Sequence, residues 1–154
     1  MKQPAKVFLI DTNVILRYLL ADHEEYSPRA KTFMATVSQE KTKAEIPAVV
    51  IVECVYVMEK FYRVPRHDIA DTLSRILNFS GIVNPDKSEI LEALTNYDAS
   101  EADIVDCLLA ASSAPDRVVV SFDKDFAKLK ATVPTPLNGL ADNTTTSVPQ
   151  MDNF

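Results

Sequence analysis

The sequence predicts an α/β fold, a central parallel sheet flanked by helices in three layers. Three observations predict it. Short apolar runs of strand length, among them "KVFLI", "GIV" and "RVVVS", alternate with longer stretches of helical spacing, the pattern of parallel strands joined by crossover helices. Two of those runs are closed by aspartates at their carboxyl ends, Asp11 and Asp123. The chain has 154 residues, 47% hydrophobic and 25% charged, which is enough for one core and ordinary for a globular domain.

Taken in order, residues 6–10 read as a short, fully buried strand. Asp11 follows it, Thr12 and Asn13 make the turn, and Val14 to Leu20 have the spacing of a helix over 13–21. A second helix, 27–39, is entered at Pro28 and leads to a short strand at 43–46. Pro47 opens a helix over 48–62, and Pro65 separates it from a helix over 66–79, because proline suits a helix start and interrupts a helix interior. "ILNFSGIVNPDKSEILEAL" places a strand at 81–84 ahead of a helix at 86–97. A helix over 101–113 ends before Pro115; a strand at 117–121 and a short helix at 123–130 follow. The composition then shifts to Pro, Thr and Asn. Residues 1–130 therefore form the predicted domain, and 131–154 an edge strand near Val133 followed by a disordered tail.

Several classes are excluded. No apolar run reaches the ~18 residues that a membrane helix needs, and "MKQPAK" lacks the pattern of a secretory signal. Cys54 and Cys107 lie in apolar helical stretches, as buried thiols of a reducing cytoplasm do. With His23 and His67 far apart, no zinc spacing exists. The net charge of −6 argues against a nucleic-acid partner until its location is considered. The tail from Ala131 holds two of the 22 carboxylates and none of the 16 bases. Five more carboxylates belong to one candidate site, which leaves sixteen bases against fifteen carboxylates in the remaining body.

Those carboxylates stand in costly places. Asp11 closes an apolar strand, where a carboxylate must be paired, cap a helix or bind a cation. Glu53 interrupts "AVVIVECVYVMEKFY", with Val49 and Val50 a turn before it and Tyr56 and Val57 a turn after. It reads either as part of a site or as a buried ion pair with Arg17 or another base. Asp106 in "EADIVDCLLAASS" shares a helix face with Leu109 and Ala110 and is placed too deep in the predicted helix to cap it. Asp103, one turn earlier, is either a site residue or the partner of an N-cap at Ser100. Asp123 lies beyond a strand with Ser121 and Asp125 beside it. In parallel sheets ligands bind beyond the carboxyl ends of the strands, so Asp11, Glu53, Asp106 and Asp123 are expected in one crevice. Oxygen donors without His or Cys suit Mg²⁺ or Mn²⁺, which activates water and stabilises charge on a phosphoryl group.

At these residues the chain resembles the PIN-domain family, and within it the VapC-like ribonuclease toxins of type II toxin–antitoxin systems. "LIDTNVILRYL" is similar to the family's first acidic motif, "PAVVIVECVYVM" to the second, "ADIVDCLLAAS" to the third and "VVSFDKDFAKL" to the fourth. The resemblance spans about residues 6–130 and implies a three-layer α/β/α PIN-like fold. It implies that Asp11, Glu53, Asp106 and Asp123 are the catalytic acids holding Mg²⁺ or Mn²⁺, with Asp103 an accessory acid and Asn13 and Ser121 polar supports. It further implies an RNA substrate cut by an activated water, a homodimer, and silencing by a VapB-like antitoxin. A Cys follows both Glu53 and Asp106 where the family often has Leu or Ala; a helical step of ~100° turns those thiols away from the acids.

For RNA contact the sequence offers Lys60, Arg63 and Arg66 among Phe61, Tyr62 and His67, and Lys124 and Lys128 after the fourth acid. These read either as phosphate contacts or as solvated helix ends. The rival readings are a housekeeping RNA-processing nuclease, a PIN scaffold that binds RNA without cutting, and a receiver-type signalling domain. A receiver needs a pair of acids after its first strand, and "DTN" supplies one. A haloacid-dehalogenase-type phosphatase needs a second Asp two residues after the first, where Asn13 stands.

Overall fold

The computed structural model describes residues 2–129; the expected edge strand and tail lie outside them. Strand β1 (Val7–Leu9) runs parallel to β2 (Lys43–Glu45), with Phe8 opposite Ala44. The Ile10 amide extends the ladder to the Glu45 carbonyl at 2.9 Å. On its other side Ala44 takes the Gly81 carbonyl at 2.8 Å and gives its own to the Val83 amide at 2.9 Å. The expected strand at 81–84 is thus reduced to one parallel bridge at Ile82. Gly81 is required there: a Cβ would lie 2.3 Å from the Thr42 carbonyl oxygen and 2.4 Å from that of Val37. Buried Asn84 completes this edge, exchanging hydrogen bonds with both backbone groups of Ile46 at 2.8 and 2.6 Å.

Helices flank this sheet and complete the three-layer α/β/α arrangement. They are α1 (Thr12–Leu20), α2 (Tyr26–Ser38), α3 (Ala48–Tyr56), α4 (Arg66–Leu77), α5 (Lys87–Ala99) and α6 (Ile104–Ser112). Helix α3 continues as a π-helical turn at Val57–Phe61, and a 3-10 helix occupies Lys124–Leu129. Prolines 47 and 65 stand at the N-caps of α3 and α4, as their fixed φ and missing donor favour. Helix α1 packs on α2 and α3, while α5 packs between α4 and α6. The core joins Ile10 and Ile46 of the sheet to Ile15, Ile51, Leu73, Leu94 and Ile104 of the helices. Among the described residues no helix is long and apolar enough to cross a membrane.

Two expectations are corrected. The first strand is not fully buried: Val7, Phe8 and Leu9 are exposed, Leu9 by 70%, and only Ile10 reaches the core. One edge of β1 pairs with nothing among the described residues, which leaves its side chains less covered than those of an interior strand. The strand expected at 117–121 does not form among these residues. Arg117 instead exchanges both backbone hydrogen bonds with Ala114 at 2.8 and 2.9 Å. That local turn consumes the groups with which a ladder would begin, and Val118 and Val120 stay exposed.

Candidate active site

Asp11 ends the strand by capping α1. Its carboxylate accepts from the Thr12 amide at 2.8 Å, in the extended conformation of an N-cap. Thr12 is buried, and its hydroxyl donates to Glu53 Oε2 at 2.8 Å. This bond ties the start of α1 to the middle of α3 and fixes the Glu53 carboxylate near Asp11. Glu53 is exposed, so the expectation of a carboxylate buried among apolar neighbours is corrected. The face it occupies is at the surface, where Val49 is 75% exposed. No ion pair with Arg17 forms; that guanidinium binds Asp22 at 2.7 Å. Behind Glu53 the Cys54 thiol is pushed up to about 12, by burial first and then by the charges of Glu53 and Asp11.

The second group gathers where α6 meets the 3-10 helix. Asp103 is the N-cap of α6 and accepts from the Val105 amide at 2.8 Å. The alternative cap at Ser100 is thereby replaced, because the helix begins at Ile104 rather than near 101. Asp106 consequently lies in the first turn, not deep in the helix. The Tyr56 hydroxyl, on the face of α3 next to Glu53, donates to both Asp103 oxygens at 2.9 and 3.1 Å. Asp123 caps the 3-10 helix by accepting from the Asp125 amide at 2.8 Å, while its own amide donates to Ser121 Oγ at 2.9 Å.

Asp103, Asp106, Asp123 and Asp125 line one open pocket of about 360 Å³, together with Glu101 and Lys128. Lys128 pairs with Asp125 at 3.1 Å. The Asp106 carboxylate takes no hydrogen bond from any described residue. Its pKa is raised by partial burial first, then by Asp103, then by Asp123. Ionised carboxylates facing one another raise the free energy of the charged form and create demand for a cation. The donor set is all oxygen, as a hard divalent ion requires. Among the described residues, however, no three acids stand close enough to grip one ion. The acids form two groups, Asp11 with Glu53 and Asp103 with Asp106 and Asp123.

Other expected site residues fall elsewhere. Asn13 is exposed on the first turn of α1 and lines an apolar cleft with Phe8, Leu9 and Phe33. Lys60, Arg63 and Lys124 are exposed, whereas the Arg66 guanidinium is turned onto backbone carbonyls. Sequence reasoning missed Thr12 and Tyr56. Both carried a signal: Thr12 is a hydroxyl directly after a strand-end acid, and Tyr56 lies three residues after Glu53, on the same helix face.

The PIN domain family profile matches residues 8–131. A VapC ribonuclease from Aquifex aeolicus (strain VF5) is 33% identical over 123 residues, covering 79% of this chain and 90% of that protein. The matched stretch contains all five acids and the hydroxyls that hold two of them, and the chain belongs to the PIN domain family.

Proposed function

We propose that this protein is a Mg²⁺- or Mn²⁺-dependent endoribonuclease, the toxin of a toxin–antitoxin pair. The observation that carries this reading is the state of Asp106: a first-turn carboxylate that accepts no hydrogen bond from the described residues, facing Asp103 and Asp123 in an open pocket. A structural carboxylate is normally paired; the described residues leave this one available. The similarity to a VapC ribonuclease supplies the substrate class, RNA.

In this reading Asp11, Glu53, Asp106 and Asp123 would hold the metal, with Asp103 an accessory acid, Asn13 two residues past the first acid, and Ser121 and Asp125 in support beside Asp123. Held by these acids, a divalent metal would supply an activated water and would neutralise charge developing on the scissile phosphate. The chain's own residues do the rest. Thr12 orients Glu53 through its 2.8 Å hydrogen bond, and Tyr56 fixes Asp103. Exposed Lys60, Arg63 and Lys124, with Lys128 at the acidic pocket, would supply phosphate contacts. A VapB-like antitoxin would silence the enzyme by covering the acidic groove, and a homodimer is the working assembly.

A second reading, a PIN scaffold that binds RNA without cutting it, is favoured by one observation: no three of the described acids stand close enough to hold one ion. Incubating the protein with total RNA, in Mn²⁺ and in EDTA, separates the two. Cleavage in Mn²⁺ that stops in EDTA supports the nuclease. Binding without cleavage in either condition supports the scaffold.

A further inference from the structure

We propose that Arg66 is a positioning residue for the Asp103–Asp106 side of the acid site, an inference that rests on the metal-dependent reading above. Arg66 is the first residue of α4, a helix that carries none of the site's acids. Its guanidinium crosses to the end of α5. Nε and Nη2 donate to the Tyr97 carbonyl at 3.2 and 2.8 Å, and Nη2 also to those of Ser100 at 3.1 Å and Ala102 at 2.6 Å. Its plane lies over the Tyr97 ring, 3.7 Å from the centroid. Glu59, on the π-helical turn after α3, stands 3.9 Å from Nη1 and accepts from the Tyr97 hydroxyl at 2.7 Å.

The Ala102 carbonyl belongs to the peptide whose nitrogen is that of Asp103, so the guanidinium is one peptide from the N-cap of α6. By gathering carbonyls at 97, 100 and 102 it holds the α5–α6 connection out of helical register. That fixes where α6 begins, and with it the positions of Asp103 and Asp106. The last carbonyls of a helix lack intrahelical donors and attract a cation. A planar guanidinium can serve several of them while stacking on a ring, which an ammonium cannot. The Tyr56 hydroxyl then holds Asp103 from the α3 side. Arg66 therefore acts through the backbone and touches neither metal nor RNA.

The test measures Mn²⁺ affinity by calorimetry on the full chain, alongside kcat, KM and the salt dependence of RNA binding. Loss of a group that orients ligands typically weakens metal binding about 10- to 100-fold. Arg66→Met is expected to raise the Mn²⁺ Kd at least about ten-fold and to lower kcat, leaving the salt slope of RNA binding unchanged. Arg66→Lys should recover only part of that loss. Ile69→Val, which loosens the same helix without touching the guanidinium, should leave the Mn²⁺ Kd as in wild type. Should Arg66→Met not fold, Glu59→Gln removes the charge facing the guanidinium at 3.9 Å and should raise the Kd by a smaller factor. Wild-type Mn²⁺ affinity in the folded variants would overturn the inference. So would a change confined to KM with the salt slope reduced by about one, which marks a phosphate contact. If wild type itself binds no Mn²⁺, the metal-dependent reading fails first and takes the inference with it.

Discussion

Replacing Asp103 by alanine and Asp106 by asparagine should move stability in opposite directions. The two carboxylates stand at the N-cap and in the first turn of one helix, but their bonding differs. Asp103 accepts from the Val105 amide at 2.8 Å and from the Tyr56 hydroxyl. Losing an N-cap costs about 1 kcal/mol. For a domain of this size that is a fall in melting temperature of roughly 2–4 °C. Asp106 accepts nothing from the described residues, and its ionised form is disfavoured by partial burial and by Asp103 and Asp123. Asparagine removes that charge and keeps the shape, so the metal-free melting temperature should hold or rise. Added salt should narrow the difference from wild type, because it screens the repulsive part. The assay is thermal melting followed by helical circular dichroism at neutral pH in EDTA. With Mn²⁺ at ten times its dissociation constant, wild type should gain about 1.4 kcal/mol by mass action, and Asp106→Asn less. If Asp106→Asn melts as low as Asp103→Ala and Mn²⁺ moves neither, Asp106 is a structural carboxylate and the reasoning is wrong.

Thr12→Val removes the donor to Glu53 Oε2 while keeping the side-chain shape; steady-state cleavage should show a lower kcat with KM for RNA little changed. Because the Asp106 pKa is raised on folding, the folded chain keeps that proton where the unfolded chain has lost it. Its contribution to stability is therefore present at pH below the ordinary carboxylate range and is lost as pH rises through the folded value. Melts in EDTA should accordingly show Asp106→Asn gaining on wild type between acid and neutral pH. Burial pushes the Cys54 and Cys107 thiols up to about 12 and about 11, so neither is thiolate near neutrality. Mass spectrometry after iodoacetamide should find neither modified in the native protein and both modified in guanidinium chloride.

Much of the fold was legible because local patterns dominated it. Asp11 ahead of "TNVILRYLL" gave the start of α1, and prolines 47 and 65 gave those of α3 and α4. What failed depended on partners remote in sequence. The sequence pattern starts α6 near 101, too early, because Ser100 and Ala102 are held out of the helix by Arg66, whose bonds to them span 34 and 36 positions. Glu53 was expected to be buried because its helical neighbours are apolar, yet its face points outward with exposed Val49; periodicity gives a face, not its direction. "RVVVS" has strand composition, but the bridge between Arg117 and Ala114 uses the backbone first. The acids themselves were legible as carboxylates in apolar surroundings. Their division into two groups was not, since Thr12 and Tyr56 decide which acid is tied to which element.

The central claim is that these acids cut RNA with the help of a divalent metal. The most direct measurement follows cleavage of an RNA substrate in Mn²⁺ by wild type, Asp11→Asn and Asp106→Asn, with equal folding of all three established by circular dichroism. The account predicts cleavage by wild type that EDTA abolishes, and loss of activity in each variant, one taken from each acid group. Cleavage that persists in EDTA, or that survives in both variants, would contradict it.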